Sequence, residues 1–479
     1  MNINYALIAP ELILAFVGSL VLCLDFVFKQ TPKWVWSWVS IAGLGVAFGA
    51  TLWIGGPGEL ILGDVILIDS YTAFFRGLFI LTAILTLIIT DLYKDLPENV
   101  KGEYYCLVLY VTVGLMFMAA STDLVTLIVS LELVSILCYV VVGFMRRDAR
   151  SAEAALKYFA LGAVASGIMF YGISFLYGLT GTFQFHQIAS RIASIPQDNH
   201  LTLMFAVVII LAGFGFKLSL VPFHMWTPDS YQGAPTPFTA FLSIAPKAAA
   251  LAAMLRFFWV SLQGTVEMWQ GVLTILAILT MTVGNLVAIA QTDVKRMMAY
   301  SSISQAGYII VGLIAFNEMG QYGTLFYLLT YLFMNMAVFI VVITISNAVG
   351  SDQISGYAGL GKRAPFLAAT MVVAFLALIG LPPTAGFIAK FLVFTAAFKA
   401  GFLSLVIAGL LNSVISVYYY FNIVRQMYLE EPHPTPVTKS PSLYFVGAVS
   451  TAVILLFGIF PYQLIEWCKS WATAVIFYQ

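Results

Sequence analysis

The sequence predicts an all-α polytopic membrane protein of about fourteen transmembrane helices, and three observations carry that prediction. The 479-residue chain is 61% hydrophobic and 9% charged, with a mean hydropathy of +0.96, whereas a soluble chain carries about 25% charged residues. Apolar runs of about twenty residues recur along its length, each long enough to cross a bilayer as a helix. These runs are continuous rather than alternating, which excludes a β-barrel.

Taken in order, the predicted spans are 5–27, 34–54, 71–91, 103–120, 123–144, 154–178, 201–221, 237–260, 269–290, 297–316, 322–347, 366–397, 402–424 and 442–463. The first has no basic region before it and reads as a retained helix rather than a cleaved signal. The longest polar connections, 55–70, 180–200 and 348–364, are too small for a folded catalytic unit. Net charge is zero, so nothing points to nucleic acid. Cys23, Cys106, Cys138 and Cys468 stand singly, without metal-ligand spacing, and read as buried thiols.

The basic residues orient the chain. Alternate connections on one side hold Lys29, Lys33, Lys94, Lys101, Arg146, Arg147, Arg150, Lys157, Lys295, Arg296, Lys362, Arg363, Arg425 and Lys439. The other side holds Arg191, Arg256, Lys399 and Lys469. This positive-inside bias predicts both termini outside the cytoplasm. Four basic residues remain inside spans: Arg76, Lys217, Lys247 and Lys390. Arg76 reads as an interfacial or interhelical anchor.

The stretch from Leu211 to Pro237 organises the rest. Lys217 follows Gly213 and Gly215, and precedes Pro222, His224 and Asp229. A lysine at helix depth must face protein or water, and a broken helix is tolerated only where it packs in protein or lines a wet cavity. Ala212-Gly213-Phe214-x-x-Lys217 has an echo in Ala385-Gly386-Phe387-x-x-Lys390, just after Pro382-Pro383. The echoes fall in the seventh and twelfth spans, five apart, so one copy is inverted relative to the other. Thr122-Asp123 and Thr292-Asp293, opening the fifth and tenth spans, repeat the spacing. Inverted repeats with broken helices are a recurring transporter architecture. The expected organisation is a three-helix segment over 1–100, a first repeat of helices 4–8 over 101–264, a second inverted repeat of helices 9–13 over 265–430, and helix 14 with a tail over 431–479.

Glu132 is the only carboxylate deep in the fifth span, and Lys217 is its expected partner. Burial disfavours a charged group and an opposite charge restores it, so the pair is either a static lock or one whose making and breaking moves a proton. Lys247, after Pro246, and Lys390 are two further buried lysines with expected transport roles. His224 has a side chain suited to a proton relay, and equally reads as a loop histidine. Ser135, Tyr139, Ser301, Ser302, Ser304, Gln305, Tyr308 and Tyr418 to Tyr420 offer groups for water chains or for plain interhelical bonds. No P-loop, dinucleotide fingerprint, haem or Fe–S ligand set or catalytic triad is present, so energy must come from an ion gradient or from partner subunits.

The strings GFGFKLSLVPFHMWTPDSYQGAPTP, SIAPKAA and QTDVKRMMAYSSISQAGYIIVG resemble the antiporter-like subunits of proton-pumping NADH:quinone oxidoreductase, respiratory complex I, and within them the bacterial N type. The length, the single helix after the second repeat, and Lys390 where another paralogue has glutamate point the same way. The resemblance covers nearly the whole chain and implies roles residue by residue. Glu132 would modulate Lys217, Lys247 would join two half-channels, Lys390 would load or release the proton on the opposite side, and His224 would stand near the cytoplasmic mouth. Gln305 or Ser302 falls where relatives place a histidine. The same resemblance implies an H+-translocating enzyme subunit with no cofactor of its own. NADH, FMN, Fe–S clusters and quinone would then lie in partner subunits. Those partners would include a second antiporter-like subunit and small membrane subunits, in a lipid bilayer. The alternatives left open are a subunit of a multisubunit cation/proton antiporter and a stand-alone ion-coupled solute transporter.

Overall fold

The computed structural model describes residues 4–437 and 440–476; Lys439, counted above on the basic side, lies outside them. The first helices are α1 (Ala9–Val27) and α2 (Trp34–Ile54), followed by a hairpin of β1 (Pro57–Ile61) and β2 (Ile66–Asp69). Then come α3 (Ser70–Thr90), α4 (Lys101–Ala120), α5 (Leu124–Val142), α6 (Ala149–Thr180), α7 (Phe185–Ile192), α8 (His200–Leu218), α9 (Trp226–Gly233) and α10 (Thr236–Ser261). The chain continues through α11 (Val266–Ile289), α12 (Val294–Ile309), α13 (Val311–Ile314), α14 (Glu318–Val349), α15 (Leu360–Arg363) and α16 (Pro365–Ile379). It ends with α17 (Ala385–Lys399), α18 (Leu403–Leu429), α19 (Pro441–Ile459) and α20 (Tyr462–Ile476).

Among the described residues, 13 helical segments are long and apolar enough to cross a membrane. The broken pair α16 and α17 supplies the remaining predicted crossing, and each predicted span coincides with a helix or a helix pair. The tail after the fourteenth span carries a further helix, α20, which packs against α3 and α14. The antiparallel hairpin in connection 55–70 was likewise not predicted. Pro246 sits inside α10 without ending it.

Local chemistry fixes the helix ends. Asp123 caps α5 through the Thr126 amide at 2.8 Å, and Asp293 caps α12 through Arg296 at 3.0 Å. Each cap residue also bridges to a later segment, Asp123 with Gln184 and Asp293 with Gln353. The 32-residue helices α6 and α14 start at Asp148 and Asn317 caps and both end on a left-handed glycine, Gly181 and Gly350.

At the first break, α8 stops at Leu218, Ser219 adopts φ +61°, and the Leu220 amide reaches back to the Gly215 carbonyl at 2.7 Å. Freed groups find protein partners: the Val221 amide donates to Thr280 Oγ1 at 2.9 Å and Trp226 Nε1 to the Phe216 carbonyl at 2.8 Å. At the second break, Gly380 takes φ +90° and the Leu381 amide reaches Leu376 at 2.9 Å. A side chain at Gly386 would meet the Ala377 carbonyl at 1.8 Å, so only glycine lets α17 cross so close to α16. Measured from the breaks, the two AGFxxK strings are not equivalent. Lys217 lies two residues before the left-handed Ser219, whereas Lys390 lies ten residues after Gly380. Backbone geometry aligns the breaks; the short sequence match does not.

Two buried arginines away from the breaks are paired with carboxylates. Arg76 of α3 grips Glu11 of α1 through two bonds, 2.7 and 2.9 Å, and the Leu7 carbonyl at 3.0 Å, making it the interhelical anchor expected. Arg256, assigned above to a connection, lies within α10 and bonds both Asp69 oxygens at 3.0 Å. Lys295, also assigned to a connection, is buried at the start of α12.

Candidate functional site

Glu132 and Lys217 are close in the fold but do not form the direct pair expected. The half-buried Glu132 accepts from Ser166 of α6 at 2.5 Å. The Lys217 ammonium donates to the Ser135 hydroxyl, one turn along α5 from Glu132, and faces the Tyr139 ring at 5.7 Å. No ion pair joins Lys217 to any described carboxylate; its ammonium is bonded to a serine instead.

Lys247 projects from α10 onto Ser302 of α12, donating to its Oγ at 2.7 Å and its carbonyl at 3.2 Å. The Tyr231 and Tyr331 hydroxyls also lie 3.0 Å from that Oγ. A hydroxyl accepts two hydrogen bonds and donates one. With Lys247 and Tyr331 donating, the Ser302 hydrogen goes to Tyr231, and every valence is used. Beside them lies a cavity of about 10 Å³, lined by Leu218, Lys247, Ser302 and Tyr331, room for about one water. Ser302, not Gln305, therefore meets Lys247. Gln305 instead accepts from Tyr327 at 2.5 Å and donates to the Leu378 carbonyl at 2.9 Å, tying α12 to the end of α16.

Lys390 reaches from α17 back across the second break. Its ammonium donates to the Ile379 carbonyl at 2.9 Å and Ser413 Oγ at 3.0 Å, and sits 4.0 Å from the Tyr308 ring centroid. Asn285 orients Tyr308 through a 3.0 Å bond and receives Tyr419 at 3.0 Å. Ser301 meets Tyr420 at 2.5 Å. A cavity of about 330 Å³ opens beside Lys390 between α17 and α18. All three lysines are thus buried and held by neutral groups: hydroxyls, carbonyls and aromatic faces.

His224 lies buried in the first break, with no hydrogen bond to Lys217 and with Nδ1 unpaired. Burial holds its affinity for a proton below the ordinary histidine value, and a hydrogen bond to the Pro222 main chain opposes that effect only in part. The short helix α9 beyond it is clamped by charge. Asp229 receives Lys157 at 2.8 Å and Arg296 at 2.7 Å; burial alone would raise its pKa, but these two partners hold the carboxyl below the usual range.

Sequence reasoning missed Tyr231, Tyr331, Tyr327 and Asn285. Nothing distinguishes a tyrosine or asparagine that joins a buried polar network from one that packs elsewhere until the helices are placed. Ser166 was equally invisible. Among the described residues, no group of three or more His, Cys, Asp or Glu is placed to hold a metal ion.

Comparison with known proteins fits this geometry. The family described as NADH:quinone oxidoreductase/Mrp antiporter, TM, matches residues 121–416, which hold all five candidate site residues. NADH-quinone oxidoreductase subunit N of Trichlorobacter lovleyi is 42% identical over 98% of this chain and 97% of its own length. The chain belongs to the NADH-quinone oxidoreductase subunit N family. A chain of respiratory complex I from Thermus thermophilus superposes with a TM-score of 0.82 at 32% identity, covering 95% of this chain and 98% of that one. A chain of the Mrp complex from Dietzia sp. reaches 0.85 at 20% identity over 99% and 98% of the two chains, a likeness of fold alone. The relatives named subunit N thus match over nearly the whole length of both chains.

Proposed function

We propose that this chain is a proton-translocating membrane-arm subunit of an NADH:quinone oxidoreductase. In this reading quinone reduction in partner subunits drives protons through Glu132, Lys217, Lys247 and Lys390. The observation that carries it is the set of three lysines buried in separate spans, each bonded to neutral partners that can exchange a proton or admit water. Family membership supplies the coupling. NADH, FMN, Fe–S clusters and quinone belong to the partners, and this chain contributes the path.

The step within this subunit follows from the spacing at α5. Unit charges a few ångströms apart interact by about 4 kcal/mol at an effective dielectric of 20, enough to decide where a proton resides. With Glu132 near and ionised, the Lys217 ammonium is favoured. With Glu132 held on Ser166, as in this structure, that attraction is weakened, and the N–H bond of Lys217 breaks in favour of a neighbouring water. The proton then passes toward Lys247 and on to Lys390. Ser135, bonded to Lys217 and on the Glu132 helix, sets the separation. His224 stands on the loading side of Lys217.

We read the chain as inverted units of α4 to α10 and α11 to α18, following three helices and preceding α19 and α20. The matched Asp123 and Asp293 caps, the bridges to Gln184 and Gln353, and the equal lengths of α6 and α14 support this. The basic connections then face the cytoplasm, and both termini the periplasm.

The test is co-purification from native membranes in mild detergent. Recovery with flavin, Fe–S clusters and NADH:quinone activity is expected. Recovery with membrane subunits but no redox centre would favour the cation/proton antiporter, for which the Mrp-like fold is the specific observation. In the recovered complex, Lys217→Ala and Glu132→Ala should impair pumping while leaving assembly intact, and wild-type proton stoichiometry in both would overturn the mechanism.

A further inference from the structure

A cavity of about 640 Å³ opens on the basic face, at the meeting of the connections that follow α3, α5, α9, α11 and α14. Four carboxylates border it: Asp95, Asp148, Asp293 and Asp352. At its inner end lies Lys295, 2% exposed. The Lys295 ammonium donates to the Gln232 carbonyl at 3.0 Å and the Ala234 carbonyl at 2.8 Å. An ammonium has three hydrogens, so one is left for the cavity. No described carboxylate forms an ion pair with it.

From this chamber a polar seam runs inward along three packed helices. Lys295 and Ser302 are seven residues apart on α12 and share a face, about 10 Å apart along the axis. On α10, Thr236, Ser243 and Lys247 follow one another at helical spacing from the chamber inward. On α14, Ser346 borders the chamber while Asn335 and Tyr331 lie deeper on the way to Ser302. Two buried polar atoms on this seam, Thr236 Oγ1 and Asn335 Oδ1, have no partner in full hydrogen-bonding geometry, although the Thr236 side chain lies within reach of the Tyr93 hydroxyl and that of Asn335 within reach of the Tyr331 hydroxyl. Buried polar atoms are nearly always satisfied, by ordered water where protein supplies nothing.

We propose that this chamber loads protons onto Lys247 directly, through Lys295 as a relay, along a water-holding seam between α10, α12 and α14 that bypasses Lys217. The Lys295 ammonium gives a proton to a water in the seam, breaking an N–H bond and forming an O–H bond. The amine left behind takes a proton from a chamber carboxylic acid or hydronium, and the chain of waters ends on the neutral amine of Lys247. Asp95, Asp148, Asp293, Asp352, Tyr93 and Arg150 face the chamber, with Arg296 next on α12, and set the local proton supply. What the seam carries rests on the reading given under Proposed function; its wetness does not.

Two measurements test this in the intact complex. In a background with the four native cysteines replaced, Thr236→Cys and Asn335→Cys are exposed to Ag+ from the basic face in membrane vesicles, denatured, and labelled with a maleimide. Both thiols should be protected, while Ala245→Cys, on the opposite side of α10, should label fully. An unprotected Asn335→Cys overturns the seam. The second measurement is the ratio of protons taken up to NADH oxidised. Arginine keeps the charge and can bond both carbonyls but does not release a proton. Lys295→Arg and Lys295→Met should therefore both fall to the level of Lys247→Ala. A wild-type ratio in Lys295→Arg would make Lys295 a clamp and overturn the relay. A complex with no NADH oxidation would sink the coupling reading while leaving the Ag+ result to decide the seam.

Discussion

Replacing Ser302 by valine removes the one hydroxyl on which Lys247, Tyr231 and Tyr331 converge. The bond from Lys247 Nζ, at 2.7 Å, is a hydrogen bond to a charged group, worth about 1.5–3 kcal/mol. The Tyr331 donor is left unsatisfied in a buried site, costing a further ~1–3 kcal/mol. The surviving bond to the Ser302 carbonyl is longer, 3.2 Å. Losing even about 3 kcal/mol lowers the population of Lys247 docked on α12 by roughly 100-fold. Alanine should be milder, because the space it frees adjoins the cavity of about 10 Å³, and a water there can bond the same three groups. Proton uptake per NADH oxidised, read by dye quenching in vesicles, should rank wild type above Ser302→Ala above Ser302→Val. Ser302→Thr, which keeps the hydroxyl, should lie near wild type. A wild-type ratio in Ser302→Val would refute the assignment of Ser302 as the partner of Lys247.

Glu132→Asp should impair pumping less than Glu132→Ala, because the charge survives, and equal losses in the two would remove charge from the explanation. Glu11→Gln should destabilise the chain by about 3–5 kcal/mol, since it leaves the Arg76 guanidinium buried beside a neutral amide; thermal aggregation of the purified complex reads this, and an unchanged transition would show the pair to be idle. For His224 the folded-state pKa lies below the ordinary value near 6.5. The neutral ring's contribution is therefore complete above about pH 6.5 and lost as pH falls toward the lowered value. His224→Gln should flatten the loss of stability below about pH 6 and leave stability at pH 8 unaltered; a parallel loss at both pH values would contradict this.

Much of this was legible because lipid imposes simple rules. A run of twenty apolar residues has one folded outcome, and a lysine within it must find protein or water, which is why Lys217, Lys247 and Lys390 stand out by residue type alone. Partner choice was less legible. Glu132 and Lys217 attract by charge, yet Lys217 bonds Ser135 and Glu132 bonds Ser166, and no sequence pattern ranks a serine above a carboxylate. Gln305 and Ser302 lie on one helix three residues apart, and only the placement of α10 and α16 decides which meets Lys247. The AGFxxK echo misled about register, because Gly386 serves a close helix crossing and Gly213 precedes a different kind of turn. The tail beyond the fourteenth span gave no such signal: α20 is amphipathic, its apolar side lies against α3 and α14, and it is too short and too polar to resemble a span.

The pairing of buried charges also sets an order on biosynthesis. Glu11 is made before Arg76, Asp69 before Arg256, Ser135 before Lys217, and the Ile379 carbonyl before Lys390, so each of these cations enters the bilayer with an acceptor already waiting. Lys247 is the exception. Its hydroxyl partner, Ser302, is translated 55 residues later, after α11 has been threaded. While the ribosome is between the two, α10 holds an ammonium at membrane depth without its acceptor, at a cost of about 2.5–3.5 kcal/mol on insertion scales. A nascent chain halted after α10 should therefore be a substrate for membrane quality control, and one extended past α12 should escape it.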